Sequence, residues 1–283
     1  MKKKVLIVIL ILLISPFISA KSLQVAIIID DIGYHYGQGK RTIELPGNIT
    51  LAVIPFTPNA VRLAELGHLN GKEIMLHAPM SNASGTPMEA GALSDNMDRR
   101  NFVQRLRESL DSVPHVSGLN NHMGSLLTQQ AQPMAWLMHE LKRRKLYFVD
   151  SRTSAESVAW QSARKQQLPT LKRDIFLDHE RSREFIHQQF ERLVAIAKTR
   201  GQAVGIGHPY SETIAYLTEV LPELAQHNIE LVSISAMLEN TNPRSPSGIK
   251  APRKPIPSPR DGYDMEPMFP TPVSAQSVFL STL

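Results

Sequence analysis

The sequence predicts an α/β fold, a single-domain (β/α) barrel of about eight parallel strands, and three observations predict it. Short apolar runs, bounded by turn residues, read as strands buried on both faces. They alternate with amphipathic helical segments over residues 21–239, as crossovers between parallel strands require. Polar residues emerge at nearly every strand end, as a ring of loops on one face of a barrel demands.

The first strand, Val25–Gly33 (VAIIIDDIG), has five apolar residues, four of them β-branched, running into Asp30 and Asp31. Nothing in an apolar core satisfies a carboxylate, so both Asp belong where the strand emerges. Successive strand residues point to opposite sides, so one Asp faces a shared pocket and the other reaches it from the loop or supports it.

A second strand, Ile49–Phe56, precedes a helix stopped by Gly71, and Glu73–Met80 is the third strand. Phe102, Val103, Leu106 and Leu110 mark one face of the next helix. His115–Ser125 is a weaker strand. A helix from Pro133 ends in the basic run Lys142–Lys145, which suits the negative end of a helix dipole. Leu146–Ser154 is a strand, a polar helix follows through Val158 and Ala159, and PTLKRDIFLDHE is a further strand. The segment from Ser182 has Phe185, Ile186, Phe190, Leu193, Val194 and Ala197 as its buried stripe and stops at Gly201. Ala203–Tyr210, a helix from Ser211 and a last strand, Glu230–Leu238, complete six helices in alternation with the strands.

The ends have a different composition. Residues 1–20 combine three Lys, an apolar stretch and small residues, which is expected of a cleaved signal peptide. Residues 240–283 carry nine Pro and no periodic apolar face, the composition of a disordered tail. Three of the five net positive charges are Lys2, Lys3 and Lys4, and the rest lie in this tail. The body is therefore about neutral, and a nucleic-acid partner is not expected. The absence of Cys removes thiolate nucleophiles and Cys-based zinc sites.

In a parallel barrel the strand ends share one face, so residues distant in sequence converge: Asp30 and Asp31, His77, Asn120, Asn121 and His122, Asp150, Asp178 and His179, and His208. Carboxylates and imidazoles without thiols suit a borderline divalent cation such as zinc. Such an ion polarises a carbonyl and lowers the pKa of water, a second carboxylate removes a proton and a His protonates the leaving amine. The Asp pair supplies one ligand and one base; the His residues supply the other ligands and the acid. His77, taken alone, reads more often as a satisfied buried His behind the site. Asp150, with Ser151 and Thr153, reads equally as a helix cap. His179, between Asp178 and Glu180, is expected in a solvated cluster, and Trp136 and Trp160 in the core.

The phrases IIIDDIG, LHAPM, GLNNHMGS, FVDSRTS and GIGHP, in this order, resemble the divergent polysaccharide deacetylase family, a distant branch of the carbohydrate esterases. The resemblance covers about Gln24 to Leu238. It implies a distorted (β/α) barrel of about seven to eight strands, with Asp30 as base, Asp31 as metal ligand and His208 as acid. Family members place two metal-binding His as H-x-x-x-H after the third strand. Here His77 stands there alone, so His122 completes the metal set, with Asn121 and Asp150 in support. The expected protein is a periplasmic, metal-dependent hydrolase removing acetyl groups from an envelope polysaccharide such as peptidoglycan, with zinc as its metal. The rival expectation is an inactive barrel that binds glycan or an envelope protein partner, the Pro-rich tail serving as a docking segment.

Overall fold

The structure, a computed structural model, describes residues 22–241. The expected signal peptide and the Pro-rich tail beyond Thr241 lie outside the described residues. Nine parallel strands form one sheet: β1 (Leu23–Ile32), β2 (Thr50–Val53), β3 (Glu73–Met80), β4 (Val116–Met123), β5 (Tyr147–Asp150), β6 (Thr170–Lys172), β7 (Ile175–Phe176), β8 (Gln202–Gly207) and β9 (Ile229–Leu231). Their order is β6-β5-β4-β3-β2-β1-β8-β7, with β9 beside β1.

The two ends of this order are halves of one extended segment. β6 pairs with β5 and β7 with β8. Between them Arg173 N–H donates to Asp150 O and Asp174 N–H to Val204 O, each at 2.9 Å. The stretch Thr170–Phe176 thereby changes partner midway and brings the sheet round into the distorted (β/α) barrel that the alternation predicts.

Period-2 alternation sorts the strand residues into two cores. Val25, Ile27 and Ile29 of β1 face the surrounding helices, together with Ile74 and Leu76 of β3 and Phe148 of β5. Ala26, Ile28, Ala52, Met75, Tyr147, Val149, Val204 and Ile206 fill the barrel interior. Each fully buried Ile, Leu or Phe contributes about 1.5–3 kcal/mol. Gly118 serves this interior: a Cβ there would lie 2.2 Å from the ring of Tyr147.

The helices are α1 (Tyr36–Ile43), α2 (Ala60–Leu69), α3 (Arg99–Ser112), α4 (Ala131–Arg144), α5 (Ala159–Lys165), α6 (Arg183–Arg200), α7 (Ser211–Val220) and α8 (Ile234–Thr241). α3 starts at Asp98 and α6 at Ser182, each of whose side chains accepts a backbone N–H of the first turn. α6 buries Ile186, Phe190, Leu193, Val194 and Ala197, while Phe185 is half-buried.

Two helices depart from the sequence reading. α1 carries two Gly in eight residues and little apolar surface, so periodicity does not reveal it. The expected last strand, Glu230–Leu238, is β9 followed by α8. Glu73 explains the change, because its carboxylate accepts from Ile234 N (2.9 Å) and Ser235 N (3.2 Å) at the start of that helix. Ile234, Met237 and Leu238 then close the N-terminal mouth of the barrel.

Candidate active site

The interior alternation continues past the apolar layer at the C-terminal end. On β1 the inward series Ala26, Ile28 reaches Asp30; on β3, Met75 leads to His77; on β4, Gly118 leads to Asn120 and His122. On β8, Val204 and Ile206 lead to His208, just beyond the strand. These four strands thus present their polar residues to the pocket by the same parity that fills the core.

Asp31 is the exception. It should face outward, yet its Oδ1 lies 3.3 Å from His77 Nε2 and 3.0 Å from His122 Nδ1. The cause is a register shift between Ile29 and Ile32, with Asp31 in the left-handed region at φ 57°. A non-Gly residue there is strained, and such strain gathers at functional sites. Through the bulge both carboxylates enter one pocket, with Asp30 Oδ2 3.6 Å from His77 Nε2.

Asp31 Oδ1, His77 Nε2 and His122 Nδ1 form a triangle whose third edge is 3.1 Å. A tetrahedral zinc with bonds near 2.05 Å spaces its ligands about 3.3 Å apart, so the three atoms fit one face of such a site. The tautomers fit as well. His77 Nδ1 lies 2.7 Å from Asn120 Oδ1, and Asn120 Nδ2 donates to Asp30 Oδ1 at 2.8 Å. The amide oxygen requires Nδ1 of His77 to be the donor, which leaves the Nε2 lone pair facing the triangle. Asp31 Oδ1 and His122 Nε2 are buried without an aligned hydrogen-bond partner. Orphaned groups of this kind cost about 1–3 kcal/mol each.

On the other flank His208 Nε2 lies 3.9 Å from Asp31 Oδ2. Its Nδ1 is held at 2.8 Å by Asp178 Oδ1. Asp178 is fixed in turn by the His208 backbone N–H (2.6 Å) and Thr213 Oγ1 (2.7 Å). Gly207 leaves room for this carboxylate, since a Cβ there would lie 3.3 Å from Asp178 Oδ2.

The charges divide the roles. Burial raises the Asp30 carboxyl, against the pull of His77 and His208. Burial also acts to raise Asp31, but the adjoining imidazoles of His122 and His77 overcome it and hold that carboxyl well below the usual range. Burial would lower His208; the hydrogen bond and charge of Asp178 outweigh it and push the imidazole up to about 9. His77 is likewise raised, Asp30 and then Asp31 overcoming its desolvation.

The supporting residues are sorted differently from the sequence reading. Asn121 points outward, donating to Met123 O and accepting from Ser151 N–H, so it shapes the β4 and β5 loops without reaching the pocket. Asp150 also has outward parity. Its carboxylate accepts from Arg152 N, Ser157 Oγ and Trp160 N, which makes it an organiser of the loop before α5. Asn120 and Asp178 are the side chains that touch the pocket residues, and the inward alternation of their strands is the signal that finds them. His179 is exposed, as expected.

The fold and this cluster define a (β/α) barrel with a carboxylate–imidazole site at its strand ends. The chain belongs to the divergent polysaccharide deacetylase family, whose model matches residues 27–238. It is 32% identical over 252 residues to the uncharacterized protein YibQ of Escherichia coli K12, covering 87% of this chain and 78% of that one. An uncharacterized protein of Haemophilus influenzae is 33% identical, with 87% of each chain covered. Among solved structures, the uncharacterized protein ATU2773 of Agrobacterium tumefaciens C58 superposes with a TM-score of 0.74 at 25% identity, over 78% of this chain and 92% of that one.

Proposed function

We propose that the protein is an exported, metal-dependent hydrolase that removes acetyl groups from an N-acetylated envelope polysaccharide such as peptidoglycan, in the periplasm. The observation that carries this reading is the triangle of Asp31, His77 and His122, flanked by Asp30 on one side and His208 on the other. Family membership supports the substrate class and the hydrolase chemistry. The sequence pattern of residues 1–20 supports export.

Asp31, His77 and His122 would hold the metal, most simply zinc, given an oxygen and two imidazole nitrogens. When bound, zinc supplies Lewis acidity and brings the pKa of water towards about 7. Asp30, buried and held by Asn120, accepts the proton from the attacking water. Its raised pKa brings it nearer to neutrality, where a base works best. His208 carries a proton at neutral pH and delivers it from Nε2 to the leaving amine, while Asp178 keeps Nδ1 engaged. The Pro-rich segment of residues 240–283 would serve as a docking segment for an envelope protein.

The test is acetate release from N-acetylated glycan fragments by the full chain, before and after chelation. Chelator-sensitive release, restored by zinc, is expected. A stoichiometric metal without any release would favour a glycan-binding barrel that has lost turnover.

A further inference from the structure

Six buried side-chain nitrogen or oxygen atoms among the described residues have no hydrogen-bond partner, and three of them gather at one place: Asp31 Oδ1, His122 Nε2 and Glu89 Oε2. Asp31 belongs to the candidate ligand set. Glu89 stands on the loop after β3, and its Oε1 lies 3.7 Å from His122 Nε2.

The loop presents Glu89 firmly. Leu93 N–H donates to Pro79 O at 2.8 Å and Ser81 N–H to Leu93 O at 3.0 Å. Gly91 adopts φ +81° beneath the ring of Phe56, where a Cβ would lie 2.7 Å from the ring. Tyr34, from the loop after β1, stands beside Glu89, and its phenol is pushed up to about 12, first by desolvation and then by that carboxylate. The loops after β1, β2 and β3 therefore meet at this segment.

A neutral imidazole has a single N–H. With Nδ1 of His122 turned to Asp31 and His77 as a donor of its lone pair, the proton sits on Nε2, in a buried position that needs an acceptor. Metal-binding His residues generally give this second N–H to a carboxylate, which fixes the ring and its tautomer. We infer that Glu89 is a positioning residue of the metal site: it accepts the Nε2–H of His122, is held for that task by Tyr34, and fixes Nδ1 towards Asp31 and His77. That role includes closing the 3.7 Å separation to hydrogen-bond distance. This inference rests on the metal-site reading above.

Zinc affinity of the full chain, measured by competition with a chromophoric chelator, tests it on the wild type and on Glu89→Ala, Glu89→Gln and Tyr34→Phe. Glu89→Ala should bind zinc about 10–100-fold more weakly. Glu89→Gln, which keeps an oxygen acceptor at the same length, should recover part of that loss, and Tyr34→Phe should weaken binding less than Glu89→Ala. Metal-free melting should match the wild type in all three. Wild-type affinity in both Glu89 variants would overturn the inference and leave the metal site standing. Complete loss of the stoichiometric zinc in Glu89→Ala would make Glu89 a ligand and overturn the positioning role. A wild type that takes up no zinc would instead overturn the functional reading, and this inference with it.

Discussion

Each mouth of the barrel holds a half-buried carboxylate at a strand end, and the two are treated in opposite ways. At the N-terminal mouth Glu73 is met by Thr50 Oγ1 and by the first backbone N–H groups of α8. Burial raises its pKa and these hydrogen bonds counter the rise. At the C-terminal mouth Asp31 sits on a strained backbone, with Oδ1 crowded by two imidazole nitrogens and aligned with none. A satisfied carboxylate builds the fold; an unsatisfied one among convergent lone pairs marks a place built for something else. Glu73 and Asp31 therefore separate stability from function within one barrel.

The largest expected effect lies at Asp30. Asp30→Asn should lower acetate release by about 10²–10⁴-fold and leave zinc stoichiometry at the wild-type value. Loss of zinc in this variant would move Asp30 into the ligand set. At the opposite mouth, Glu73→Ala leaves the N-terminal N–H groups of α8 without their acceptor and should cost about 3 kcal/mol in urea denaturation. Its zinc affinity should be unchanged; an altered affinity would mean the two mouths are coupled.

Asn120→Ala should weaken zinc about 10-fold, because His77 loses the acceptor that sets its tautomer. Chelator competition measures this, and unchanged affinity would show that the triangle alone orients His77.

The smallest effect is a displacement along the pH axis. His208 is raised to about 9 in the folded protein, above its unfolded value of about 6.5. The stability it contributes is therefore complete below about pH 6.5 and is lost as pH rises through about 9. On the proposed reading, acid catalysis by His208 fails over the same alkaline range. Asp178→Asn removes the first cause of the rise, so the alkaline limb of the pH–rate profile should move down towards the ordinary histidine value. A limb that stayed in place would assign it to another group.

The fold was legible where apolar runs are long. β1, β3, β8 and α6 stand out in the sequence because their burial is nearly continuous or strictly periodic. α8 was not, since ISAML suits either a strand or a helix, and only the distant carboxylate of Glu73 decides between them. In the site, Asp30, His77, His122 and His208 could be placed by strand ends alone. The choice between Asn120 and Asn121 needed parity counted from the interior residue Gly118, and the same count turns Asp150 outward. Asp31 defeats parity, because a bulge is a local backbone decision that residue types do not announce. Glu89 was beyond reach, since no periodicity governs the loop that carries it.

The most direct test is the metal content of the full chain after zinc loading and removal of free ion, measured beside Asp31→Ala. One equivalent in the wild type and none in the variant, with equal metal-free melting temperatures, is the predicted result. A full equivalent retained by Asp31→Ala, or no metal in the wild type, would contradict the account, and the orphaned atoms at the C-terminal mouth would then need another ligand to explain them.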